Sequence, residues 1–196
     1  MASLPPVDSV DESHLASVLS ILLEPSDVLY STLAPALAAS FASGERFLSY
    51  PHLLDAAIAQ VASWDPLLRA RFIAGHPRIG ETRNLSALSV KEQGAVSSVA
   101  PTPPEVLARL AHLNACYERR YPGLRYITFV NGRSRAAIAV EMEDVLQIPH
   151  SLSPDQPPIE ETVSIQPNTE AWRTELDRAV IDVGRIAKSR LAAMTV

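Results

Sequence analysis

Apolar residues recur three and four apart along most of this chain, and prolines cut the resulting stripes into short lengths. Leu15, Val18, Leu19 and Leu22 follow that period from Glu12 to Leu23, and Pro25 stops it. Such spacing lines one face of an amphipathic helix. A second helical stretch follows Ser26, with Leu33, Leu37 and Phe41 on one side and Pro35 as a kink or break. Leu53, Leu54, Ala57 and Val61 make a third. Asp65-Pro66 reads as an N-cap and first-position proline for a short helix that Gly75 ends. No segment alternates apolar and polar residues between hairpin turns, and no useful internal repeat appears, so a sheet-based fold is excluded.

Residues 75–88 read as a loop. Ser89-Val90-Lys91-Glu92 has the capping-box pattern and opens a short helix to about Val99. Pro103-Pro104 introduces another, carrying Val106, Leu107, Leu110, Leu113 and Tyr117, and Tyr121-Pro122-Gly123 ends it. The run from Tyr126 through Ile127, Thr128 and Phe129 to Val130 is the single strand-like one, closed by Asn131-Gly132. Ser134 can cap a helix to about Leu146. Residues 148–167 hold five prolines and little apolar pattern, which predicts an extended or mobile connection. A long helix starts near Asn168, with Trp172, Leu176, Val180, Val183, Ile186 and Leu191 in one stripe that reads as core. The expected fold is all-α: one helical-bundle-like domain over residues 1–196, with about 8–10 helices, a short extended segment, a proline-rich insert at 148–167 and a C-terminal helix at 168–193.

Composition narrows the partners. At 196 residues and 47% hydrophobic, the chain can bury roughly two-thirds of its unfolded surface. Its net charge of −5, without a basic run, argues against nucleic acid, whose binding rests on phosphate neutralisation. No apolar stretch approaches the ~20 residues that span a bilayer, so no membrane is expected. Cys116 is the only cysteine, which leaves no intrachain disulfide and no cysteine metal cage. The first residues carry acids and prolines, unlike a signal sequence, and the Ser189-Arg190-Leu191 tripeptide is internal. A reducing intracellular compartment is expected, with no terminal targeting signal visible.

Known motifs for zinc, phosphate, dinucleotide and serine-nucleophile chemistry are missing, so no metal is expected and a cofactor-free reaction, or none, remains. Of the five histidines, His14, His52 and His112 fall within helical patterns, where an ordinary structural histidine is the simplest reading. His76 differs. It lies between Gly75 and Pro77 at a helix end, and Pro77 biases it toward an extended backbone that holds the imidazole stiffly. Ser89 and Glu92 have a structural explanation as caps, while the same helix start can also receive an anionic ligand.

Taken in order, Gly75-His76-Pro77-Arg78-Ile79-Gly80, Ser89-Val90-Lys91-Glu92-Gln93, Leu113-Asn114 with Tyr117, and Gly132-Arg133-Ser134 resemble the 2-oxo-4-hydroxy-4-carboxy-5-ureidoimidazoline (OHCU) decarboxylases of the urate-to-allantoin pathway. The resemblance spans about Leu15 to Leu191. It implies an all-helical homodimer that converts a small ureido acid to (S)-allantoin and CO2 without cofactor. It further implies that His76 and Glu92 are the catalytic pair, and that Pro77, Ser89 and Gln93 bind substrate. Residues 127–131, including Ile127, Phe129 and Asn131, would contact the ligand through their backbone. Asn131 departs from the family, which often carries arginine there to hold the substrate, and leaves Arg133 or Arg135 as the clamp. That departure also admits an alternative, a non-catalytic helical interaction module with Trp172 and Leu176 in a partner groove. A helical enzyme acting on another ureido acid is the third reading.

Overall fold

The computed structural model describes residues 4–44, 46–81 and 102–194. Among them are seven α-helices and no strand, so the fold is all-α as expected. The chain divides into two compact units, Met1–Gly75 with Leu176–Val196, and His76–Glu175.

In the first unit, α1 (Glu12–Leu22) starts where Asp11 Oδ1 accepts from the backbone N–H of Ser13 and His14, at 2.9 and 3.2 Å. Its predicted stripe, Leu15 to Leu22, is buried throughout. The second stretch opens with Ser26 Oγ accepting from Leu29 N at 3.2 Å, then widens into a π-turn over Leu29–Leu33 before α2 (Ala34–Ala42). Pro35 explains the widening: it has no N–H to give Ser31, and the Ala34 N–H reaches back five residues to the Leu29 carbonyl. The proline therefore changes the winding of the helix without ending it. Helices α3 (Tyr50–Ala62) and α4 (Pro66–Ala74) begin at Ser49 and Asp65, whose side chains accept from the first-turn amides.

Gly75 closes α4 at φ −68°, an ordinary helical value, so its role is space and not handedness. A Cβ there would stand 2.7 Å from Ser26 Cβ. The later part of α7 (Glu170–Met194) completes this unit: Leu176, Val180 and Val183 are buried, and Arg190 Nη2 meets Glu24 Oε1 at 2.6 Å in the interior.

The second unit is built on α5 (Pro104–Arg120), against which α6 (Arg135–Leu146) packs. Ser134 Oγ caps α6 through Ala137 N at 3.2 Å, and Gln147 ends it in the left-handed region at φ 58°. Periodicity identifies the apolar face of α5. The structure buries a second, polar face carrying Arg109, His112 and Cys116. Residues 148–167, the expected extended connection, are responsible. The segment is irregular apart from a 3-10 turn at Ile159–Glu161, yet it is fastened to α5 along its length. Arg109 Nη1 donates to the Ser153 carbonyl at 2.8 Å and also to that of Gln156. His112 Nε2 lies 2.8 Å from the Pro157 carbonyl, and Ile165 N donates to the Arg120 carbonyl at 2.7 Å. A proline-rich stretch cannot satisfy its carbonyls internally, so the helix beneath supplies the donors.

The strand-like run forms no ladder among the described residues. Its extended backbone is held by side chains instead.

Candidate active site

His76 follows α4 directly and is only 4% exposed. Three attachments brace the turn that carries it. Arg125 Nη1 donates to the His76 carbonyl. Arg78 forks onto Glu118, Nε to Oε1 at 2.6 Å and Nη2 to Oε2 at 2.9 Å, while its backbone N–H donates to Glu81 Oε2 at 2.9 Å. Asn114 Nδ2 donates to the Ile79 carbonyl at 2.9 Å. Gly80 then turns the chain at φ 82°, in the region that favours glycine, with Leu110 close against it. Glu118 raises the Arg78 pKa, chiefly through that bidentate hydrogen bond. Burial lowers the pKa of Arg125, and the like charge of Arg78 adds to the effect.

Arg125 escapes sequence reasoning because the arginine sits just before an apolar run, a place where a flanking charge is ordinarily solvated. It joins the His76 turn to the start of the extended segment. In that segment Ile127 is buried, Phe129 half-buried, and Asn131 and Arg133 exposed. Asn131 and Gly132 take φ 47° and 74°, a sharp turn that returns the chain toward α6. Glu141 on α6 gathers the segment: it accepts from Thr128 Oγ1 at 2.8 Å, from the Tyr126 hydroxyl and from Arg133. Arg133 also donates to Thr128 Oγ1 at 3.0 Å and to the carbonyls of Phe129 and Val130 at 2.6 and 3.0 Å. Arg135 is half-buried, its Nη1 donates to Thr102 Oγ1 at 3.3 Å, its Nε meets no acceptor among the described residues, and burial lowers its pKa. Ser89, Glu92 and Gln93, with their expected helix to Val99, lie outside the described residues.

The other histidines keep structural settings: His14 hydrogen-bonds Asp11 beside the α1 cap, His112 holds Pro157, and exposed His150 pairs with Asp144 at 2.8 Å. Cys116 is buried beside His112, and burial raises its thiol pKa. Arg69 on α4 forms an ion pair with Asp177. Among the described residues no helix is long and apolar enough to cross a membrane.

An all-α chain that presents a buried histidine on a braced His-Pro turn has the build of a helical enzyme whose loops carry its polar groups. The family model for OHCU decarboxylase matches residues 8–154, and the chain belongs to that family. It is therefore a carboxy-lyase with a small-molecule substrate and a decarboxylase role in urate degradation. A search of curated proteins finds no match.

Proposed function

We propose that the protein converts OHCU to (S)-allantoin and CO2 without a cofactor, with His76 and Glu92 as its catalytic pair. The observation carrying this reading is the setting of His76: a buried imidazole on a turn whose backbone is held at His76, Arg78 and Ile79. Breaking the bond to the carboxylate leaves an electron pair, which passes into the adjacent unsaturated centre and is then protonated on one face. An ordinary histidine, with pKa about 6.5, exchanges such a proton near neutrality. Glu92 orients the ring. Ser89 and Gln93 hydrogen-bond the ring and ureido groups, Pro77 shapes the turn, and residues 127–131 offer backbone groups to the ligand.

With Asn131 uncharged, the substrate carboxylate goes to Arg135. In support, the Arg133 guanidinium is committed to its own segment and to Glu141, whereas Arg135 retains donors. The protein acts as one domain and as a homodimer, in the cytosol or peroxisome, as the family resemblance implies; sedimentation equilibrium checks the dimer with twice 21.2 kDa. Trp172 and Leu176, the residues named for a partner groove, are buried, which supports the enzymatic reading over an interaction module.

The deciding experiment generates OHCU in situ from urate, with uricase and hydroxyisourate hydrolase, and follows allantoin by circular dichroism. Spontaneous decay to racemic allantoin is the control. Rapid appearance of (S)-allantoin is expected, falling ~10²–10⁴-fold in His76→Ala. Arg135→Met is expected to raise KM, and Gln93→Ala to lower the enantiomeric excess. A folded wild-type protein that only follows the spontaneous trace refutes the proposal.

A further inference from the structure

We propose that Arg125 is a positioning residue for His76, setting the imidazole by holding the peptide plane between His76 and Pro77; this rests on the reading of His76 as a proton-transfer group. Pro77 has no N–H, so the only hydrogen-bonding handle on that peptide is the His76 carbonyl oxygen. Arg125 Nη1 donates to it. The two residues that follow are each held by another partner, Arg78 by Glu118 and Glu81, and Ile79 through its carbonyl by Asn114. Arg125 extends the restraint back from Arg78 and Ile79 to the peptide plane that bears the histidine itself.

The placement of Arg125 gives the contact a second consequence. It immediately precedes residues 126–130, the extended segment that Glu141 and Arg133 hold in shape. The His76 turn and this segment are thereby tied at adjacent residues, so the group that moves the proton and the backbone that contacts the ligand share one frame. A guanidinium in this place is half-buried and beside the like charge of Arg78. Its rigid fork still suits the task, because the donor directions are fixed once its plane is fixed. Displacing a reacting group by about 1 Å costs ~10²-fold in rate, which sets the scale of the effect.

The test compares Arg125→Met and Arg125→Lys with wild type in the circular-dichroism assay, with thermal melts alongside. Arg125→Met is expected to lower kcat about 10- to 100-fold while KM stays within about twofold, since the contact orients chemistry and touches no substrate. Arg125→Lys, which keeps a long cationic donor, is expected to recover at least about a third of the lost kcat. If Arg125→Met does not fold, Arg125→Gln, too short to reach the carbonyl, takes its place with the same expected loss. Wild-type kcat in the neutral variant, a change confined to KM, or a kcat loss that lysine does not recover overturns the inference. His76→Ala separates the two claims. If it abolishes catalysis while Arg125→Met does not, only the positioning role fails; if His76→Ala keeps the full rate, the catalytic reading fails and the positioning role with it.

Discussion

Arg109 is a charge taken wholly out of water, at 0% exposure of its side chain, and Glu143 at 2.8 Å with the carbonyls of Ser153 and Gln156 makes that tolerable. Removing one member of such a pair strands the other, which typically costs ~3–5 kcal/mol, whereas replacing both with apolar residues is often neutral. Arg109→Met is therefore expected to lower the urea midpoint severely, and Arg109→Met/Glu143→Leu to recover much of the loss. Equal losses in the two variants would mean that the pair itself contributes little. His150 shows the opposite regime. Its exposed ring bonds Asp144, which holds its pKa above the usual 6.5. Because the folded value is the higher one, the pair's stabilisation is full below the unfolded pKa and is lost as pH rises through the folded pKa. Proton NMR should find a higher His150 midpoint in wild type than in Asp144→Asn. Neither partnership could be read from sequence: Arg109 looks like a solvated helix charge until the remote residues 151–157 are seen to cover it.

Local chemistry at the helix ends was largely legible. Asp65, Ser134 and the α1 stripe do what their residue types and spacing dictate, since caps and amphipathic faces depend on neighbours within a few positions. Gly75 ends α4, as its residue type suggests, but not through handedness. A terminal glycine suggests a left-handed cap, whereas here it makes room for Ser26 at an ordinary φ. Gly75→Ala is accordingly expected to cost about 1–3 kcal/mol through crowding. The same change in a Ser26→Gly background should cost much less, because the Cβ it meets at 2.7 Å is gone. Chemical denaturation of the four proteins checks this, and an unchanged cost would place the effect in the backbone. The strand-like run from Tyr126 to Val130 is similar. Its β-rich composition accounts for the extended conformation, but a strand also needs a partner, and the Glu141 side chain of α6 serves in its place.

For the molecule as a whole, the first compact unit is discontinuous, since Leu176–Val196 returns to complete a core begun by Met1–Gly75. Gly184 packs on Ile58, Lys188 pairs with Asp55 at 2.6 Å, and Arg190 meets Glu24 in the interior. A chain ending at Glu175 is therefore expected to lose the cooperative melting of this unit, together with helical circular dichroism beyond the deleted residues. Cooperative melting kept intact after truncation would contradict it. The all-α class, most helix limits and the ordered His-Pro and Gly-Arg-Ser motifs came from sequence alone, because periodicity, capping and motif order are properties of short windows. The bracing of His76 by Arg125, the cover over Arg109 and the closing of the first unit by the C-terminal helix needed the tertiary structure. Each joins residues dozens to well over a hundred positions apart, and their partners are backbone carbonyls or buried charges, which residue type and spacing do not advertise.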